Sequence, residues 1–250
     1  MGRFFSPPRR FFSRTPGEGL EIVRHDVSHA ALAGFQLAFL SDIHACARFS
    51  DTALEALFAR VAALDADIVC LGGDLAEDAE SLSRLTRFFP LLTPRLGVFA
   101  CPGNNDHEID GFSRHVGKYL RLLTNESVRL GGLRLGGVDE RKWGRPDARG
   151  LFPAGEAVFR VLLAHYPICY DFGAGAKPDL QLSGHTHGGQ FNVLGLTPYI
   201  LPFEPRGHAW ISGECTLHGV RTIVSNGVGM SRLCLRVGAP PQAHLVRFTR

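Results

Sequence analysis

Five short apolar runs in this chain each end on a glycine, carboxylate, amide or imidazole, and this repeated junction constrains the fold more than any other feature. Residues 35–40 run into Asp42-Ile43-His44, 68–71 into Gly72-Gly73-Asp74, and 98–101 into Gly103-Asn104-Asn105-Asp106. Residues 158–164 run into His165, and 180–182 into Gly184-His185-Thr186-His187-Gly188-Gly189-Gln190. Apolar runs this short, bounded by turn residues, are the pattern of buried strands. Between the first of them the spacing turns helical. Leu54, Leu57, Phe58 and Val61 share a face behind a cap at Asp51 or Thr52, and a helix over about 80–89 is stopped by Pro90. The second half is richer in strands: a hairpin over 128–138 turning at Gly131-Gly132, then 220–224, 233–237 and 244–248. The alternation predicts an α/β fold. No composition break divides residues 31–250, which are expected to form one domain. Residues 1–30 are expected to be a disordered basic and aromatic tail.

In sheet-based α/β folds the carboxyl ends of the strands open onto the ligand crevice. Five segments would then deliver carboxylates, an amide and imidazoles to one edge. Such a set suits divalent cations: imidazole favours zinc, iron, nickel or copper, and carboxylate oxygens accept manganese or magnesium. Thiolates are nearly absent from these loops, which argues against a closed structural zinc site. In Asp-x-His and His-x-His, alternate side chains point the same way on extended backbone. Each piece alone carries little, since Gly-Gly-Asp is also a plain turn and a lone His165 is also an ordinary hydrogen-bonded histidine. Their ordered combination carries the reading.

That combination resembles a known family. Asp42-x-His44, Gly73-Asp74, Gly103-Asn104-x-Asp106, His165 and Gly184-His185-Thr186-His187 match, in order, the motifs of calcineurin-like metallophosphoesterases. The extension Gly188-Gly189-Gln190 and the later Ser225-Asn226-Gly227-Val228-Gly229 resemble a bacterial branch often associated with membrane lipids. The resemblance runs from about Phe35 to the C-terminus. It implies two mixed β-sheets packed as a sandwich with helices on the outer faces. It also implies two divalent ions (manganese, iron or zinc) bridged by Asp74, the first also held by Asp42, His44 and His187, the second by Asn104, His165 and His185. Such a pair clamps a phosphoryl group and activates water between its members.

One position departs from the family pattern. Asn105 stands where a histidine usually contacts the phosphate and protonates the leaving group, and an amide supplies no proton at neutral pH. The partner role usually given to the next aspartate, Asp106, is then open, and His107 is the nearest replacement in the chain. A site lacking an acid favours phosphate anhydrides, nucleotide-diphosphate conjugates or aryl esters, whose leaving groups depart as stable anions. The substrate expected is a phosphorylated small molecule or a lipid-linked precursor. The competing expectation is a catalytically weak binding or scaffold protein that keeps the fold and the metal site.

Composition narrows the remaining choices. A net charge of +3, with no basic stripe, argues against nucleic acid as partner. The six cysteines are scattered without a C-x-x-C pair, which predicts reduced thiols in a cytoplasmic protein. No secretory h-region stands near the start, and no apolar run reaches the length of a membrane span. Residues 3–14 pair arginines with phenylalanines, which would suit a peripheral contact at the inner face of a membrane. Two further segments bear on substrate choice: Arg141-Lys142-Trp143-Gly144-Arg145, with three cations about an indole, and the aromatic and proline-rich stretch 191–210, suited to a pocket wall.

Overall fold

The computed structural model describes residues 12–193, 210–231 and 233–250. In chain order the elements are β1 (Phe12–Ser13), β2 (Glu21–Ser28), β3 (Gln36–Leu40), α1 (Asp51–Ala62), β4 (Ile68–Leu71), α2 (Ala79–Thr86), β5 (Val98–Ala100), α3 (Phe112–Val116) and β6 (Arg121–Leu122). They continue with β7 (Glu126–Leu130), β8 (Leu133–Gly137), β9 (Phe159–Leu163), β10 (Leu180–Ser183), β11 (Gly213–Leu217), β12 (Val220–Val224), β13 (Arg236–Val237) and β14 (Gln242–Thr249).

The strands form two six-stranded mixed sheets, ordered β2-β14-β3-β4-β5-β6 and β11-β12-β10-β9-β8-β7. Strands β3, β4, β5 and β6 run parallel in the first, as do β8, β9, β10 and β12 in the second. Side chains alternate along a strand, so each sheet sorts its residues between two layers. Leu37 and Phe39 of β3 join Ile68, Val161, Leu163, Leu182 and Ile223 in the layer between the sheets. Ala38 and Leu40 turn the other way, onto the apolar stripe Leu54, Leu57, Phe58 and Val61 of α1 and Leu82 and Leu85 of α2. On the second sheet, the layer beyond Leu162 and Ala164 is covered by Leu151, Phe152 and Phe172 from long connections.

Three local expectations are corrected. Helix α1 is capped by Ser50, whose hydroxyl accepts the Ala53 N–H at 3.2 Å, and Asp51 sits in the first turn, where its charge suits the helix dipole. Helix α2 ends at Thr86, and Pro90 lies inside a separate 3-10 turn, Phe89–Leu91. The stretch 233–237 is strand only at Arg236–Val237, which pairs with β1. The expected tail also shrinks. Glu21–Ser28 is an eight-residue edge strand paired along its whole length with β14, and only His25 and Val27 of it are buried. Partner hydrogen bonds rather than apolar periodicity hold it. Residues 1–11 of the expected tail lie outside the described residues, as do positions 194–209 of the proposed pocket wall.

Candidate metal centre

Because β3, β4 and β5 are parallel, and β9 and β10 likewise, the segments that follow them leave from matching strand ends. Backbone hydrogen bonds then lock the first two to each other: the Asp42 N–H donates to Gly73 O at 2.9 Å and the His44 N–H to Asp74 O at 3.0 Å. Asp42, His44, Asp74, His185 and His187 all adopt positive φ, between 45° and 69°. That region is uncommon for side chains other than glycine, and when it gathers in one place it marks a site the surrounding structure holds under strain.

The side chains converge. One ligand atom each from Asp42, His44 and His187, all buried, lie within 4.8 Å of one another, and so do those of Asp42, Asp74 and His165. His44 Nε2 stands 3.0 Å from His187 Nε2, and His165 Nε2 stands 3.2 Å from His185 Nδ1. Asp74 Oδ2 is 3.5 Å from both His44 Nε2 and His165 Nε2. The Asp42 carboxylate lies 3.6 Å from His187 Nε2 and accepts the His185 N–H at 3.0 Å. Asn104 is at the margin, its Oδ1 accepting from the Tyr166 hydroxyl at 3.4 Å, and Tyr166 stacks on the His185 ring at 3.8 Å between centroids.

The outer partners decide which imidazole nitrogen faces the centre. His165 Nδ1 donates to Gly72 O at 2.8 Å, and His44 Nδ1 is tied to the Glu77 carboxylate. Both rings therefore turn an Nε2 lone pair towards Asp74, the tautomer a metal-binding histidine needs. Two lone pairs against one carboxylate repel unless positive charge lies between them. The same demand shows in protonation. Burial depresses His165 and His44, but Asp74 acting on the first, and Glu77 and Asp74 on the second, outweigh it, and His165 is driven up to about 10. Burial raises Asp74, yet His165 and His44 hold it below the usual carboxylate range. His185 is pushed down to about 3 by burial and by His165, and His187 well down by burial and by His44. A buried, nitrogen- and oxygen-lined space that draws positive charge and keeps two further imidazoles neutral fits divalent cations.

The three catalytic candidates separate. Asn105 stays at the centre, with Nδ2 3.4 Å from His44 Nδ1 and its N–H donating to Asp74 Oδ1 at 2.8 Å. Asp106 is buried and accepts the N–H groups of Asp74, Leu75 and Gly103 at 2.8–2.9 Å. His107 sits at the rim with Nε2 2.7 Å from Asp139 Oδ1.

Two functional neighbours escape the motif pattern. Glu77 orients His44, and its place three residues after Asp74 was the only available signal. Arg236, fully buried, donates to Gly229 O, Asn226 O, Ala239 O and His187 O and lies 3.3 Å from His187 Nδ1. Nothing local in the sequence marks it.

Comparison with known proteins agrees with this geometry. The profile of the family described as calcineurin-like phosphoesterases matches residues 35–189, an interval that holds the six clustered side chains Asp42, His44, Asp74, His165, His185 and His187, with Asn104 at their margin. The metallophosphoesterase YkuE of Bacillus subtilis (strain 168) is 26% identical over 242 residues, 89% of this chain and 83% of that protein. The phosphodiesterase YaeI of Escherichia coli (strain K12) is 26% identical over 244 residues, 91% of this chain and 88% of that one. A metallophosphoesterase of Helicobacter pylori (strain ATCC 700392 / 26695) is 30% identical over 85% of this chain and 59% of its own length. With its α/β fold of mixed sheets and its cluster of carboxylates and imidazoles, the chain belongs to the calcineurin-like phosphoesterases, hydrolases of phosphoester bonds.

Proposed function

We propose that the centre holds two divalent ions, of manganese, iron or zinc, and that the protein hydrolyses a phosphodiester or phosphoanhydride whose leaving group departs as a stable anion. One observation carries this: Asp74 Oδ2 lies equally far, 3.5 Å, from an imidazole nitrogen of each half of the cluster, as a bridging carboxylate would. Asp42, His44 and His187 would complete one site, and Asn104, His165 and His185 the other. Bound there, the ions would supply positive charge to the phosphoryl oxygens and make water acidic enough to attack at neutral pH.

The chain's own groups do the rest. Glu77 and the Gly72 carbonyl fix the tautomers of His44 and His165, so both rings are oriented before substrate arrives. The Asn105 amide, with Nδ2 3.4 Å from His44 Nδ1, would donate a hydrogen bond to a phosphoryl oxygen, without a proton to give. Asp106 is occupied by three backbone N–H groups and His107 Nε2 by Asp139, which supports a reading that assigns neither as the proton donor. The YaeI relative's description as a phosphodiesterase supports the diester half of the reading.

The test has two parts. Purified protein should hydrolyse bis(p-nitrophenyl) phosphate on addition of manganese, and Asp74→Asn should abolish it. In a series of aryl phosphodiesters, the rate should rise steeply as the leaving-group pKa falls. Absence of turnover in protein that retains metal would instead favour a binding protein on this fold. A flat series in the wild type that steepens in His107→Ala would restore His107 as the acid.

A further inference from the structure

Beside the centre lies a loop that the hydrolytic machinery does not use. Between β8 and β9, two carboxylates gather successive backbone groups. Asp139 accepts the N–H of Glu140 at 2.9 Å and of Arg145 at 2.8 Å. Glu140, fully buried, accepts those of Lys142 and Gly144 at 2.6 Å and that of Trp143. Gly144 is required here, because a Cβ would overlap the Asp139 carboxylate. The loop is thus fixed from within, yet it exposes the Trp143 side chain to 56%. An indole left in water is unfavourable, and one held in place in water is ready for a partner.

The indole is also fixed from outside. Its Nε1 donates to Glu108 Oε1 at 3.0 Å, and the Lys142 ammonium lies 4.4 Å from the ring centroid. Glu108 belongs to the 3-10 turn Asp106–Glu108, which directly follows Asn104 and Asn105, and His107 of the same turn holds Asp139. Two ties therefore clasp the loop to the segment that supplies the metal-site amide. Trp143 consequently stands against the turn that follows Asn104 and Asn105.

From this placement we infer that Trp143 and Lys142 form a subsite for the nucleobase of a nucleotide-containing substrate, an inference that rests on the phosphoesterase reading above. Three observations select a base over an acyl chain. The platform is a single flat π-face, which bases stack on irrespective of sequence. Its partners among the described residues are an ammonium and a carboxylate. A centre without a proton donor prefers a phosphate leaving group, and a nucleoside diphosphate conjugate offers one already attached to a base.

The experiment compares two probes, uridine 5′-monophosphate and ribose 5-phosphate, which share the phosphorylated ribose and carry at C1 a base and a hydroxyl respectively. Calorimetric titration of the manganese-loaded full chain should show the nucleotide binding about tenfold more tightly. Trp143→Ala should remove about tenfold of the nucleotide's affinity while shifting the sugar phosphate less than twofold, and Trp143→Phe should restore most of the loss. Because the chain has two tryptophans, Trp143 and Trp210, the Trp210→Phe variant isolates one emission, and the nucleotide should quench it. Equal affinity for the two probes, or an unchanged nucleotide affinity in Trp143→Ala, overturns the subsite. Hydrolysis of bis(p-nitrophenyl) phosphate, measured alongside with Asp74→Asn as its control, reports separately on the parent reading. A failed subsite leaves a working enzyme indifferent to the base, whereas a failed parent reading leaves no metal-dependent turnover.

Discussion

Asp106 Oδ2 accepts the backbone N–H of Asp74 at 2.8 Å, so one carboxylate fixes the turn that aims another. The same group takes the N–H of Leu75 at 2.9 Å and of Gly103 at 2.8 Å, tying the segment after β4 to the segment after β5. All three donors are buried, and a buried N–H without an acceptor costs about 1–3 kcal/mol. Asp106→Ala should lower the urea-unfolding free energy of the metal-free protein by at least about 3 kcal/mol. Asp106→Asn, which keeps one acceptor oxygen, should lose roughly half of that. A purely catalytic Asp106 would leave both unfolding curves near that of the wild type.

Gly103 tests the same junction from the steric side. A Cβ there would overlap the Asp74 carboxylate and crowd its backbone nitrogen. The neighbour is backbone as well as side chain, so the strain cannot be relieved by a rotamer change alone. Gly103→Ala should cost about 1–3 kcal/mol in stability. It should also weaken manganese binding more than tenfold by turning Asp74 away from His44 and His165. Wild-type affinity in a chelator competition would show that the loop yields without disturbing the carboxylate.

The Glu77 contact with His44 carries a different expectation, because it acts on a ring rather than on a turn. Outer partners of metal-binding histidines are worth about 10- to 100-fold in affinity. Glu77→Ala should weaken manganese binding by that range with little change in unfolding free energy, since Glu77 is partly exposed. Glu77→Gln, still able to accept from Nδ1, should recover part of it. The readout is metal competition with a fluorescent chelator, and wild-type affinity in Glu77→Ala would remove Glu77 from the centre.

What could be read from the sequence was whatever nearby residues determine. Strands β3, β4, β5, β9 and β10 are apolar because both faces are covered, and a polar residue follows each because the strand end meets the ligand space. Those junctions survive in one dimension. Strand β2 does not, because it is an edge whose Arg24, Asp26 and Ser28 face water and whose pairing lies more than 200 residues away at β14. Arg236 is hidden for a related reason: four carbonyls satisfy it only once the chain has closed around His187, and a lone arginine among apolar residues otherwise reads as surface. The cap of α1 shows the smaller error, with Ser50 preferred over Asp51 by one residue of backbone geometry.

His244, fully buried on β14, gives the protein a pH dependence independent of the metal centre. Its Nδ1 lies 3.0 Å from His25 Nε2, and His25 Nδ1 lies 3.2 Å from Glu214 Oε2 across the two sheets. Burial first, and then His25, push His244 from its ordinary 6.5 to about 3. A histidine depressed in the folded state is protonated first in the unfolded chain. Stability from this group is therefore intact above pH 6.5 and falls as the pH drops from there towards 3, by up to about 1.4 kcal/mol per unit. His244→Gln keeps a polar partner for His25 and cannot titrate. In urea unfolding with a chelator present, the wild type should lose about 2 kcal/mol more than the variant between pH 7 and pH 5. Parallel pH profiles would mean that the folded state lets His244 take up its proton, and that the interior between β2 and β14 is wetter than its packing implies.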